Sequence, residues 1–585
     1  MNTSSFLTRA SYTFKRRSIH ITSFRPVFTH RYSNMANKAS LKRAEDFIDF
    51  LNASPTGMIL GTFRARLTII QRSMRSTQRS YVSRKPASSR SKYIFTQSSQ
   101  YHECLHECQE RDPWSTHLQP GGKYYLTRNA STIVAFAIGS AWKPGNPVAM
   151  VGAHTDSCCL RLKPVSKRTA DGFMQVGVET YGGGLWHTWF DRDLSIAGRV
   201  MVKGKDDSME MRLVRVKKPI MRIPNLAVHF GGSVPFEFNK EAQLFPITGL
   251  VSAELNRMGK TAEEVKKEEA ERSSDGGYEP FKTPTQRHHP YLIEVIAKEA
   301  ECKPDDILDF ELVLYDTQAS CIGGLNDEFI FSARLDNLGM TYCAVEGLIQ
   351  SLSSPSALKS DSTIRLIACF DHEEIGSSSA QGADSNMLPS VLRRLSCIQS
   401  STTPSTSSDS SYDRVNSSED TSTAYEQTLA TSFLVSADMA HSVNPNYSAK
   451  YEPEHKPEMN AGTVIKVNAN VRYATNAPGI VLLEECARRA KAASYQPPST
   501  KSEKSSGKGV PLQLFVVRND SPCGSTIGPM LSAALGTRTI DVGNAQLAMH
   551  SIRETSGCYD VEYGVNLFDS FFEHYGELEA KVLVD

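Results

Sequence analysis

Five places along this chain set histidine or carboxylate within a few residues of the end of an apolar element. Val148 to Val151 leads into Gly152-Ala153-His154-Thr155-Asp156. Thr363 to Phe370 leads into Asp371-His372-Glu373-Glu374, and Phe433 to Ala437 into Asp438. His550 follows Leu547, and Asp336 stands just ahead of a helical pattern that starts at Leu338. A short, nearly apolar run suits a strand covered on both faces by helices. In such α/β sheets, ligands gather at the carboxyl ends of the strands. Taken singly, each place has an ordinary reading: a turn, an N-cap, or a pair of solvated acids. Taken together they assemble two histidines, His154 and His550, and four acids: Asp336, Glu373, Glu374 and Asp438. Acids at the ends of buried strands need a counter-charge, and a metal supplies one. Two zinc ions sharing one bridging carboxylate would use this inventory, with one acid left as base.

The remaining pattern agrees with an α/β chain. Strand-like runs lie at Tyr124 to Leu126, Thr132 to Ile138, Phe310 to Tyr315 and Thr463 to Val467, and helical spacing at Leu338 to Leu352 and Gly479 to Ala493. The stretch from 158 to 325 is richer in strand signals, with Val176 to Thr180, Arg199 to Val202 and Met211 to Val216, followed by a helical pattern from Tyr291 to Cys302. It reads as an inserted, strand-rich domain. It would divide a catalytic domain into parts at 45–157 and 326–585. Leu41 to Leu51 reads as an amphipathic helix.

Composition narrows the classes. Sixty-five Lys and Arg against 64 Asp and Glu give a net charge of +1, so no global field favours nucleic acid or an anionic membrane. No apolar run approaches the ~18–20 residues of a membrane span. Twelve cysteines without a C-x-x-C pair argue against a disulfide scaffold or zinc finger and for a reducing compartment. Residues 1–44 carry nine basic residues and no acid, the composition of a mitochondrial transit peptide or of a disordered basic tail. Residues 58–101 are again basic and Ser-rich without acids, an anomalous stretch expected to pack little. The segments 400–423 and 496–509 read as mobile loops. His102-Glu103-Cys104-Leu105-His106 matches the H-E-x-x-H zinc pattern, but the residues after it do not continue a buried helix, and the match is set aside.

The residues at those element ends belong to longer recognisable strings. GAHTDSCCLRLKP, VGVETYGGGLWHTWFDRDLSIAGRV, IPNLAVHF, DEFIFSARLDN, DHEEIGSSSAQGADS, SADMAHSVNPNY, VIKVNANVRYATN, RNDSPCGSTIGP and QLAMHSIRE occur in this order from about Gly121 onward. The sequence thereby resembles the aspartyl aminopeptidases, a family of dinuclear zinc exopeptidases. The resemblance implies a three-layer α/β zinc-peptidase domain interrupted by a strand-rich oligomerisation domain, and a dodecameric homo-oligomer. It makes Asp336 the carboxylate that bridges two zinc ions per subunit, His154 and Asp438 the other ligands of one, and Glu374 and His550 those of the second. Glu373 is implied as general base, and Asp156 as the residue that orients His154. His229 is implied to reach a neighbouring subunit's active site and help hold the scissile carbonyl. Glu373, Asp438, His441, Lys466 and Tyr473 would border the substrate. The stretch after His229, Phe230 to Pro235, departs from the family's polar sequence there.

The substrates implied are peptides with N-terminal Asp or Glu. An acidic first side chain needs a cation, and Lys466, set in the apolar strand around Val464, Ile465 and Val467, is the candidate. Its ordinary reading is a strand-edge lysine facing water. A cytoplasmic enzyme is expected, mitochondrial if residues 1–44 act as a leader, with vacuolar delivery left open. Two alternatives stand beside this reading: a related dinuclear zinc hydrolase that prefers neutral or N-acyl substrates, and a self-assembling scaffold without turnover.

Overall fold

The computed structural model describes residues 33–56, 106–230, 237–274, 282–398, 421–495 and 509–582. Residues 1–32, the anomalous 58–101 stretch, and most of the two expected loops lie outside the described residues. So do His102 and Glu103; His106 opens a two-residue strand, His106–Glu107, rather than closing a turn of helix.

The largest sheet has nine strands. In spatial order they are His106–Glu107, Lys123–Arg128, Thr132–Ile138, Ile364–Phe370, Val148–His154, Phe433–Ala437, Arg538–Gly543, Thr463–Val467 and Leu512–Val516. The four central strands, Ile364–Phe370 to Arg538–Gly543, run parallel to one another. Phe370 pairs with His154, so those two strands end level. Alternation along each strand explains the continuous apolar runs. Ala149, Val151, Ala153, Ile367, Cys369 and Val435 face one core, shared with Phe47, Phe50, Tyr342, Leu482 and Phe568 of the helices Ser33–Ala53, Leu335–Ser351, Ala477–Arg489 and Asp560–Leu578. Val148, Met150, Leu366, Ala368 and Leu434 face the opposite core, under Met387–Ser396 and Ile527–Leu535. Both faces are dry, so neither parity of the strand can be polar. The result is a three-layer α/β arrangement. Truncating a ring such as Phe568, fully buried, would leave a cavity worth roughly 3–5 kcal/mol.

Directly after the first central strand the chain enters a second, six-stranded sheet. Its order is Met209–Arg215, Leu194–Lys203, Ile307–Asp316, Cys159–Ala170, Phe173–Tyr181 and Ile247–Leu250, antiparallel throughout. Its core joins Leu160, Val176, Ile196, Val200 and Leu312 to Ile293 and Ile296 of the helix Pro290–Glu299. A five-stranded sheet of Cys321–Gly323, Phe329–Ser332, Glu554–Gly557, Ala545–Leu547 and Ala440–His441 brings the end of the chain back beside Asp336 and His441.

Several elements differ from the sequence reading. The first helix starts at Ser33, inside the basic 1–44 stretch. The strand Cys159–Ala170 escapes an apolar count because Arg161, Lys163, Lys167 and Arg168 interrupt its half-exposed run. Among the described residues no helix is long and apolar enough to cross a membrane, and no disulfide joins the cysteines.

Candidate active site

His154 is the last residue of its strand and is buried. Its Nδ1 lies 3.1 Å from the Asp156 backbone carbonyl and 3.3 Å from Asp156 Oδ1. That contact turns Nε2 toward three carboxylates: Asp336 Oδ1 at 3.3 Å, Asp438 Oδ1 at 3.4 Å and Glu373 Oε2 at 3.9 Å. Asp156 does more than face the imidazole. Its carboxylate also accepts from the Tyr181 hydroxyl at 2.7 Å and from the backbone N–H of both Glu373 and Glu374 at 3.1 Å. One buried carboxylate therefore links the end of one strand to the short helical turn that follows the next. That turn, Glu373–Ile375, is bracketed by left-handed residues, His372 at φ 66° and Gly376 at φ 95°. A left-handed histidine is uncommon enough to mark a constrained backbone.

Asp336 and His550 arrive from opposite ends of the catalytic half. Asp336 lies in the first turn of Leu335–Ser351 with dihedrals that depart from the helix, and its side chain caps nothing. The N-cap reading of the sequence is replaced by a side chain aimed at two histidines: Oδ1 faces His154, and Oδ2 lies 3.6 Å from His550 Nε2. His550, at φ 67°, sits with Nδ1 3.3 Å from the Gly183 carbonyl, leaving Nε2 3.4 Å from Glu374 Oε2. A hydrogen bond at one ring nitrogen that frees the other is the arrangement of a metal-ligating histidine.

Glu554 was not singled out in the sequence. It is buried, and Oε2 accepts from the backbone N–H of Leu335 at 2.7 Å and of Asp336 at 3.1 Å, while Oε1 accepts from His550 N–H at 2.9 Å. It holds the backbones of Asp336 and His550 together. Its only sequence signal is an acid four residues after His550, in the string QLAMHSIRE.

The electrostatics ask for positive charge. Burial, reinforced by Asp438 and Asp336, pushes the Glu373 carboxyl up to about 8. Burial and the neighbouring Asp336 raise Glu374 well above the usual carboxylate range. Burial would lower His154, yet Glu373, Asp156, Asp336 and Asp438 together hold it well above its ordinary value. Two carboxylates are shifted down against their burial: Asp438 by Lys466 and His154, and Asp156 by His154 and the Tyr181 hydroxyl. One oxygen each of Asp336, Glu374 and Asp438 is buried without a hydrogen-bond partner. Native interiors rarely leave such atoms unsatisfied. Ligand atoms of His154, Asp336 and Asp438 lie within 4.8 Å of one another, and so do those of Glu374, His550 and Cys158. Mixed imidazole and carboxylate sets at this spacing suit zinc. The residues present thus fit a metal centre.

The expected substrate residues are partly gathered. Lys466 is buried, with Nζ 3.3 Å from Asp438 Oδ2 and 5.5 Å from the Tyr473 ring centre, so it faces inward and not toward water. Tyr473 is buried beside Cys523, and exposed His441 sets its ring 5.9 Å from Phe515. His229 stands apart, in a short turn, Val228–Phe230, where the neighbouring Leu226, Val228 and Phe230 are exposed by 62%, 71% and 78%.

An α/β sheet that collects histidines and carboxylates at the ends of its parallel strands defines the class of metallopeptidases with this fold. The sequence relationships agree. The model of the aminopeptidase I zinc metalloproteases, M18, matches residues 88–572. An aspartyl aminopeptidase of Aspergillus oryzae is 60% identical over 480 residues, covering 82% of this chain and 91% of the relative. Aspartyl aminopeptidase 1 of Schizosaccharomyces pombe is 43% identical over 553 residues, 93% of this chain and 97% of the relative. Among solved structures, that of the Ape4 and Nbr1 complex superposes with a TM-score of 0.74 at 41% identity, covering 94% of this chain and 88% of that one. The mApe1 dodecamer of S. cerevisiae does so with a TM-score of 0.68 at 28% identity, covering 93% and 99%. The chain belongs to the M18 aminopeptidase family and, within it, to the aspartyl aminopeptidases. It is a zinc-dependent hydrolase acting on peptides.

Proposed function

We propose that this protein removes N-terminal aspartate and glutamate from peptides, using two zinc ions per subunit and Glu373 as general base. The observation that carries the reading is Asp336: its two oxygens face two separate groups of ligands, His154 with Asp438 and His550 with Glu374. In this reading His154, Asp336 and Asp438 hold one ion, and Asp336, Glu374 and His550 the other. The bound pair would supply Lewis-acid charge for the scissile carbonyl and lower the pKa of the attacking water.

The chain's own residues do the remainder. Positive charge at the centre offsets the burial and repulsion that raise Glu373, restoring it as a carboxylate. Glu373 then takes a proton from the attacking water and returns it to the leaving amine. Asp156 acts through position: it holds the His154 ring and the N–H groups under both glutamates. The free α-amine of the substrate is received by Glu373 and Asp438, and the acidic side chain by Lys466, with His441 and Tyr473 beside it. Lys466 already neutralises Asp438, so an incoming carboxylate would share a cation rather than meet an isolated one.

We further propose that residues 158–325 form an inserted oligomerisation domain between catalytic parts at 45–157 and 326–585, and that twelve copies assemble. Two exposed apolar strips support this, Met209, Met211 and Leu213 on an edge strand of the six-stranded sheet and Leu226, Val228 and Phe230 around His229. Such strips mark contact surfaces. His229 would enter the neighbour's site through the second and steady the scissile carbonyl. We take the enzyme to be cytoplasmic, with import into mitochondria the outcome if residues 1–44 act as a leader and vacuolar delivery left open. The test is hydrolysis of Asp-, Glu- and Leu-linked reporters with and without chelator, alongside metal analysis. Acid-selective, chelator-sensitive turnover at two zinc ions per chain is expected. Equal rates on Leu would favour a neutral-residue hydrolase, and no turnover with metal bound would favour a scaffold.

A further inference from the structure

Cys158 has no role in the scheme above, yet its thiol stands in the metal centre. Sγ donates to Glu374 Oε2 at 3.1 Å. Sγ, a Glu374 oxygen and a His550 ring nitrogen all lie within 4.8 Å of one another. Ligand atoms around one zinc keep such a spacing, since metal–sulfur bonds of ~2.3 Å and metal–nitrogen bonds of ~2.0 Å place neighbours ~3–4 Å apart.

Two more observations point to a cation rather than to a lone hydrogen bond. Glu374 Oε1 is buried without a partner, on a side chain only 4% exposed, so the thiol leaves the carboxylate half satisfied. And the backbone opposite is shaped around the pair: Gly182, at φ 81°, is where an added Cβ would lie 2.8 Å from Cys158 Sγ and 3.2 Å from Glu374 Cβ. A thiol is a weak donor and a strong zinc ligand once deprotonated.

We propose that Cys158 is a direct thiolate ligand of the second metal, beside Glu374 and His550, which gives that site a soft donor that the His154–Asp336–Asp438 site lacks. The inference rests on the two-metal reading. On loading, the S–H bond of Cys158 breaks, a sulfur–metal bond forms and the proton leaves to solvent, so metal binding releases one proton more than the other ligands account for. The two sites then differ in preference: sulfur biases the second toward zinc and away from manganese.

The test is the metal-stripped full chain reloaded with cobalt(II). Two cobalt ions per chain and a near-ultraviolet sulfur-to-cobalt charge-transfer band that saturates with one of them are expected. The band should vanish in Cys158→Ser and persist in Cys159→Ser. In chelator competition Cys158→Ser should lose one zinc about tenfold or more readily than the parent, and the other zinc unchanged. Two bound ions without the band, or a band that Cys158→Ser keeps, would overturn the inference alone. Fewer than two ions per chain would overturn the two-metal reading and this inference with it. The parent spectrum decides the matter should the serine variant fail to fold.

Discussion

The two large sheets handle charge in opposite ways. In the six-stranded sheet, cations and anions find one another at the surface: Arg199 and Arg161 meet Glu311, Lys163 meets Glu241, and Arg287 meets Asp309. At the carboxyl ends of the parallel strands, four acids crowd two histidines and one lysine, and three buried carboxylate oxygens lack a hydrogen-bond partner. Surface pairs of the first kind contribute little each, roughly 0–1 kcal/mol. The second kind is costly unless something else completes it. The contrast separates a region built to hold its shape from one built to receive a ligand.

The sharpest way to break that contrast is Glu373→Gln. It removes the proton carrier and no assigned ligand, so turnover should fall by about 10²–10⁴ while metal content stays at the parent level. Parent-like kcat in metal-replete protein would remove Glu373 from the chemistry. Lys466→Met comes next. kcat/KM on Asp-linked reporters should drop about 10–100-fold, and less on Leu-linked ones, because a charge-assisted contact is lost only with the acid. Equal losses on both would make Lys466 a partner of Asp438 only. Glu554→Gln should weaken metal retention by about 10–100-fold with the six-stranded sheet untouched, since it loosens the backbones of Asp336 and His550. Unchanged retention in chelator competition would reduce Glu554 to a packing residue.

The smallest effect belongs to the other sheet. His288 is buried beside Ser166, and burial, aided by nearby Arg287, lowers its pKa to about 4. The folded value lies below the unfolded one of ~6.5, so the neutral ring stabilises the fold above that pH, and this contribution is lost as pH falls from ~6.5 toward the folded value. In His288→Gln the acid slope of stability between those limits should flatten by on the order of 2 kcal/mol, measured by denaturant melts across pH. Turnover at neutral pH should not change. A slope identical to the parent's would show that other groups set the acid limit.

How much of this was legible beforehand depends on the kind of signal. Val148 to His154 and Thr363 to Phe370 announced themselves, because strands dry on both faces leave no polar position to confuse the pattern. The half-exposed Cys159–Ala170 strand did not, since its charges mask the alternation. Among site residues, those directly after apolar runs could be picked out. Glu554, Tyr181 and Cys158 could not: each acts through a partner elsewhere in the chain, Asp336, Asp156 and Glu374 respectively, and the strings they stand in do not show that partnership. Asp336 shows the limit most plainly. Ahead of a helix its local pattern suits a cap; only the longer string DEFIFSARLDN marked it otherwise, and in the structure its side chain faces two histidines.

From its residues alone the chain was committed to a covered parallel sheet with acids and histidines at the strand ends, because burial dictates hydrophobic order locally, residue by residue. Which oxygen meets which nitrogen, that Lys466 turns inward to Asp438, and that Cys158 joins Glu374 were decided only by tertiary structure. Such contacts join strands and turns 28 to 216 residues apart, and electrostatic partnership depends on distance in space, which no stretch of sequence encodes by itself.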